Sequence, residues 1–195
     1  MTTAEKADAK NIERAAAILR SGGIVAFPTE TVYGLGADAF NPVACARIFE
    51  AKNRPSFDPL IVHIARAGEL DILAKTVPKR ARSLIERFWP GPLTLVFDKK
   101  DGVPDIVTAG LSTVAVRMPS HPVALSLIER TGKPIAAPSA NPFGYISPTR
   151  AGHVVGQLGD AVDMILDGGE CAVGLESTII RIEGARAVLD RKSVV

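Results

Sequence analysis

The stretch VAFPTETVYGLGADAF, residues 25–40, decides between two folds. Ile24 to Phe27 is a short apolar run, partly β-branched, and reads as a strand. A Pro28-Thr29-Glu30-Thr31 loop follows. Gly34-Leu35-Gly36-Ala37-Asp38-Ala39 then fits the G-x-G-x-x-A pattern of dinucleotide-binding turns, with Asp58 about twenty residues on. Such a turn needs its first glycine at the strand end and a helix opening on the motif. Here Pro28 to Tyr33 separate the strand from Gly34. The helix signal comes only at Asn41-Pro42, and Asp58 lies between Phe57 and Pro59 rather than at a second strand tip. The motif therefore fails on both sides. Gly34 and Gly36 read instead as turn residues of positive φ that lead the chain toward the next helix.

Outside this stretch the chain supports one α/β domain over residues 1–195. It is 47% hydrophobic but only 5% aromatic, so the core is mainly aliphatic. A net charge of +2 gives no overall excess suited to nucleic acid, although a local basic cavity fits within a near-neutral total. Cys45 and Cys171 form no metal-spaced pair and read as free thiols. No apolar leader opens the chain and no apolar run reaches membrane-spanning length, which leads to the expectation of a cytoplasmic protein. Walker and nucleophile-elbow patterns are missing, and His63, His121 and His153 lack metal-ligand spacing, so no metal site is expected. His63 alternates within a strand and so can face a cavity; alone, it is also an ordinary structural histidine.

Apolar periodicity places helices over 12–19, 42–52, 68–74, 79–88, 122–130 and 149–159, the fifth capped by Ser120. Strands fall at 24–27, 60–64, 93–97, 113–118, 134–137, 162–167, 177–182 and 187–189. The last three strands lack intervening helices, so a mixed sheet is expected rather than a parallel one.

Four polar, proline-bearing segments interrupt this pattern: Pro28–Tyr33, Lys52–Pro55, Arg117–Pro119 and the run APSANPFGYISPT after PIAA. Prolines at strand ends stiffen loops, and stiff loops hold hydroxyls, amides and cations at fixed positions. Lys52, Arg54 and Arg117 can neutralise anions, while Thr31, Ser139, Asn141 and Ser147 offer neutral hydrogen bonds. Together they suit a phosphorylated, nucleotide-like ligand with a second polar group. Lys52 and Arg54 also fit a solvated helix end, and Ser139 and Asn141 fit ordinary turn chemistry.

FPTETVYGLGADA, KNRP, PLIVHI, WPGPLTLVF, VAVRMPSHP, PIAAPSAN, SPT and GLESTII occur in this order, and the chain resembles the YrdC-type threonylcarbamoyl-AMP synthases from about Gly22 to Ile180. Lys52/Arg54 and Ser139/Asn141 are the most specific marks. The resemblance implies a twisted mixed α/β sheet with flanking helices and a large basic concave cavity. It implies conversion of L-threonine, bicarbonate and ATP, with Mg²⁺, to threonylcarbamoyl-AMP and pyrophosphate. A tRNA-modifying transferase complex would then use the product. Thr31, His63, Arg117, Ala137 (through its backbone) and Ser177 would surround threonine. Arg54, Thr113, Ser139 and Ser147 would meet ATP. Lys52 and Arg54 are the candidate catalytic cations, Lys52 near the phosphates or the carbamate, and Asn141 would brace the loop or the nucleotide.

Three departures stand out. Asp58 replaces the family's usual Asn at a position facing ATP, where an acid would repel phosphate or help hold Mg²⁺. Phe143 replaces a small Ser. The chain reads VLDRKSVV where longer relatives continue into an Arg-Pro-Gly linker and a second domain, which gives Arg191 the linker arginine's contact with ATP. An RNA-binding module using the same basic concavity without chemistry is the alternative reading.

Overall fold

The computed structural model describes residues 3–55, 58–184 and 186–192. Ten strands form one mixed sheet in the order β1-β8-β2-β3-β7-β4-β6-β5-β9-β10. They are β1 Ala4–Lys6, β2 Val25–Phe27, β3 Gly34–Asp38, β4 Ile61–His63, β5 Leu93–Asp98, β6 Thr113–Arg117, β7 Ile135–Ala136, β8 Met164–Asp167, β9 Thr178–Glu183 and β10 Arg186–Arg191. The helices are α1 Ala9–Arg20, α2 Pro42–Lys52, α3 Lys79–Phe88, α4 Asp105–Thr108, α5 Pro122–Thr131 and α6 Ala151–Gln157, with short 3-10 turns at Ala67–Ile72 and Gly159–Ala161. Parallel pairs (β1–β8, β2–β8, β4–β6, β5–β9) sit among antiparallel ones, so the sheet is mixed as the sequence implies. Among the described residues no helix is long and apolar enough to cross a membrane.

Strand alternation builds two cores on opposite faces of the sheet. Val25 and Phe27 join Ile12, Ala15, Ala16 and Leu19 of α1 and Leu127 and Ile128 of α5. Ile24 and Ala26 join the larger cluster with Ile48 of α2 and Val107 of α4. Capping sets the helix starts. Asp8 accepts from the Asn11 N–H at 2.9 Å, and Asn41 accepts from Val43 and Ala44 at 3.1 Å, with Pro42 at the first helical position. Before α5 it is His121, not Ser120, that caps: its Nδ1 accepts from Val123 at 3.2 Å.

The opening stretch differs from its sequence reading. Gly34 and Gly36 lie in a buried strand, and neither has positive φ. A Cβ on Gly36 would come within 2.7 Å of Ile135 Cγ2 and Phe27 Cε1. The residue is small because its neighbours pack against the backbone, not because the chain turns. The 68–74 helix is a 3-10 turn, α4 and β1 carry too short a pattern to read, and β8 pairs with β1 and β2, far from β9 and β10.

Candidate active site

The β4, β6, β5 and β9 strands form the floor of a cavity of about 470 Å³. Alternate residues face it: Ile61 and His63, Thr113, Ala115 and Arg117, Val96, Ile179 and Arg181. The residues between them, such as Val62, Val114, Val116 and Leu95, enter the core. Sheet register sets His63 and Thr94 on either side of Arg117.

Arg117 is almost fully buried and held on three sides. Its Nε donates to the Gly91 carbonyl at 3.3 Å, and Nη1 donates to Thr31 Oγ1 at 2.9 Å. Nη2 lies 2.7 Å from Glu30 Oε1, but neither atom achieves the alignment of a hydrogen bond. The Thr29 hydroxyl donates to the Val32 carbonyl at 2.6 Å, so the 2.9 Å contact between the two hydroxyls has Thr31 donating to Thr29. The guanidinium thus begins a fixed donor chain that runs through Thr31 and Thr29 and ends at the Val32 carbonyl. His63 stacks edge-on to Phe27, and burial, reinforced by Arg117, lowers its pKa to about 3, so its imidazole is neutral. Ser177 Oγ lies 2.8 Å from Thr94 Oγ1.

Arg54 lies away from Arg117, and Arg191 stands between them, within electrostatic reach of both. Arg54 Nη2 lies 2.9 Å from Asp58 Oδ2 and donates to the Pro59 carbonyl at 3.0 Å. Arg191 donates through Nε to the Ser177 carbonyl at 3.0 Å and through Nη2 to Ser177 Oγ at 3.1 Å, with Glu176 at 3.4 Å. A register shift between Leu189 and Arg191 interrupts the β9–β10 ladder beside it.

Of the residues singled out in the sequence, Thr31, Arg54, Asp58, His63, Thr113, Arg117, Ala137, Ser139, Ser177 and Arg191 line this one cavity. Three do not. Lys52 is buried beneath the 138–145 loop, where its ammonium donates to the carbonyls of Ser139 and Asn141. It meets the loop backbone rather than the cavity because a buried cation takes the nearest acceptors. Desolvation, then the neighbouring Arg54, lowers its pKa to about 7. Asn141 turns its amide onto the Pro142 and Tyr145 carbonyls at 2.9 and 2.8 Å, bracing the same loop. Ser147 donates to Glu176 Oε1 at 2.7 Å. Ala137 uses its N–H on the Ile61 carbonyl at 2.9 Å. The opening stretch holds the loop as well: Leu35 N–H donates to the Pro138 carbonyl, and Ala140 N–H donates to the Tyr33 carbonyl, both at 2.8 Å.

Glu30 and Glu176 were not among the sequence candidates, although both sit inside the quoted motifs. An acid beside a basic site reads as neutral background until its partner is seen. Among the described residues no group of three or more His, Cys, Asp or Glu side chains is placed to hold a metal ion.

The family model described as "Telomere recombination", for the Sua5, YciO and YrdC proteins, matches residues 17–193, and the chain belongs to this family. A threonylcarbamoyl-AMP synthase of Pyrococcus abyssi is 54% identical over 176 residues, covering 90% of this chain and 52% of the relative. One of Bacillus subtilis is 55% identical over 170 residues, covering 87% and 49%. The chain thus spans about half the length of these relatives. A crystal structure of P. abyssi Sua5 complexed with L-threonine superposes with a TM-score of 0.93 at 52% identity, covering 98% of this chain and 56% of that one. Escherichia coli YciO, at 26% identity, gives a TM-score of 0.84 over 94% and 89% of the two chains.

Proposed function

We propose that this chain is an L-threonylcarbamoyladenylate synthase, a nucleotidyltransferase that converts L-threonine, bicarbonate and ATP to threonylcarbamoyl-AMP, pyrophosphate and water. The observation that carries the reading is one cavity lined by separate arginines: Arg117 with Thr31 at one end, Arg54 at the other, and Arg191 between them on Ser177. The likeness to a Sua5 complexed with L-threonine supports threonine as the amino-acid substrate, and we place its carboxylate at Arg117 because that guanidinium is fixed in the cavity by Thr31 and Gly91.

In this reading Arg117 takes the threonine carboxylate through the Nη1 N–H that Thr31 leaves unused, its guanidinium plane fixed by Thr31 and Gly91. Ser177 and Thr31 contribute hydroxyls, and neutral His63 adds no charge against the amine. The threonine amine adds to bicarbonate, water leaves, and a carbamate forms. A carbamate oxygen then attacks the α-phosphorus, and the bond to pyrophosphate breaks. Arg54, Arg191, Thr113 and Ser139 hold the nucleotide and offset the charge that gathers there. Alignment in one cavity supplies much of the remaining acceleration, since no covalent nucleophile is required. Mg²⁺ enters with ATP as part of that substrate. Lys52 and Asn141 act by holding the Ser139 loop. The product would pass to a transferase acting on tRNA in the cytoplasm.

The test is pyrophosphate release. It should require threonine and bicarbonate together with MgATP, and Arg54→Ala should slow it while the urea midpoint is kept. Release unchanged by omitting threonine would refute the reading.

A further inference from the structure

Four arginines of the cavity each face a carboxylate, but the pairs are not alike. Arg54–Asp58, Arg191–Glu176 and Arg181–Glu183 have their acids at 36%, 37% and 48% exposure, where water screens them. Arg117–Glu30 has side chains only 5% and 11% exposed. Glu30 is also fixed in place. Its Oε2 accepts from the Ser120 N–H at 3.1 Å, and its own carbonyl accepts from Val173 at 2.8 Å. It is not among the cavity-lining residues, so it stands behind Arg117 as seen by a ligand.

We infer that Glu30 sets the charge specificity of the Arg117 end: it makes that end nearly neutral, so that it accepts a zwitterion and rejects a net anion. This rests on the reading that threonine binds at Arg117. A lone buried guanidinium would attract any anion, and this reaction brings a triphosphate into the same cavity. A fixed carboxylate at contact turns that charge into a dipole, whose field falls off faster with distance. The Nη1 N–H that Thr31 leaves unused remains for a carboxylate, while the long-range pull on phosphate is largely cancelled. A ligand carrying its own ammonium suffers no repulsion there. Beside Arg54 and Arg191 the acids are exposed and screened by water, which leaves these cations their attraction for phosphates. One cavity thereby sorts two substrates by net charge. Glu30 is a specificity-determining residue acting through Arg117, not a catalytic one.

The experiment is calorimetric titration of the unaltered chain and of Glu30→Gln with L-threonine and with (R)-β-hydroxybutyrate, which keeps the carboxylate and hydroxyl but lacks the ammonium. Gln keeps the shape and an acceptor for Ser120 while removing the charge. The unaltered chain should prefer threonine by on the order of tenfold or more, and the preference should shrink severalfold in Glu30→Gln. Glu30→Asp, which keeps the charge, should retain most of it. An equal preference in Glu30→Gln would overturn the inference while leaving the threonine reading intact. Absence of threonine binding by the unaltered chain would overturn both. Should Glu30→Gln not fold, competition on the unaltered chain decides: inorganic phosphate should fail to displace threonine, and displacement would overturn the inference.

Discussion

The ammonium of Lys52 donates to the backbone carbonyl of Ser139, so the lysine reaches the nucleotide end of the cavity through the loop it holds. The same ammonium bonds Asn141, and the Lys52 carbonyl accepts from Phe143 N–H at 2.7 Å. Removing the side chain leaves two carbonyls without their donor. Lys52→Met should cost roughly 1–3 kcal/mol of stability in urea unfolding and raise KM for ATP more than KM for threonine.

The lysine also predicts a pH dependence. Its folded pKa, about 7, lies below the ordinary 10.5. The unfolded chain therefore binds more protons between those values, and this group's contribution to stability rises as pH rises through that window. The stability difference between the unaltered chain and Lys52→Met should widen by ~2 kcal/mol from about pH 7 to about pH 9. Paired urea titrations at both values check it; a constant difference would contradict the lowered pKa of Lys52.

His63 has the same direction of shift in a lower window. With a folded pKa of about 3 against 6.5, its contribution is intact above about pH 6.5 and is lost as pH falls toward 3. Between about pH 7 and pH 5 the unaltered chain should lose roughly 2 kcal/mol relative to His63→Gln. Urea midpoints of both chains at the two pH values provide the measurement.

Arg117→Lys keeps a charge but loses the planar fork that Thr31, Gly91 and Glu30 hold. KM for threonine should rise roughly 10- to 100-fold, with KM for ATP changed far less. Equal changes in both constants would mean that Arg117 does not single out the amino acid.

Gly36→Ala tests the corrected reading of the opening stretch. The new methyl would meet Ile135 and Phe27 at 2.7 Å and should cost ~1–3 kcal/mol by overpacking. Gly68→Ala, where no atom beyond its chain neighbours lies within 4 Å of the new Cβ, serves as the control in the same unfolding assay.

Much of the architecture was legible because it rests on local signals. Asn41-Pro42 announces α2, the 79–88 helix matches α3, and apolar alternation marks β5 and β6. Gly34 and Gly36 misled because a glycine required by packing and one required by φ look alike in sequence. Close approach to Phe27 and Ile135 is a tertiary fact. His121 displaced Ser120 as the cap because either side chain can accept, and only the entry path of the chain decides between them. The candidate site gathered ten of its singled-out residues from the order of short polar motifs. What the sequence could not give was direction. It did not show that Lys52 points under the loop, that Ser147 turns to Glu176, or that Glu30 lies against Arg117.

The central claim is that threonine and bicarbonate are joined and adenylated in one cavity. The direct measurement is mass spectrometry of the nucleotide product formed from ¹³C-labelled bicarbonate, L-threonine and MgATP. The account predicts a single adduct containing AMP, threonine and the labelled carbon, formed in step with pyrophosphate. Pyrophosphate release that yields AMP with no labelled carbon, or no threonine-dependent product at all, would contradict it.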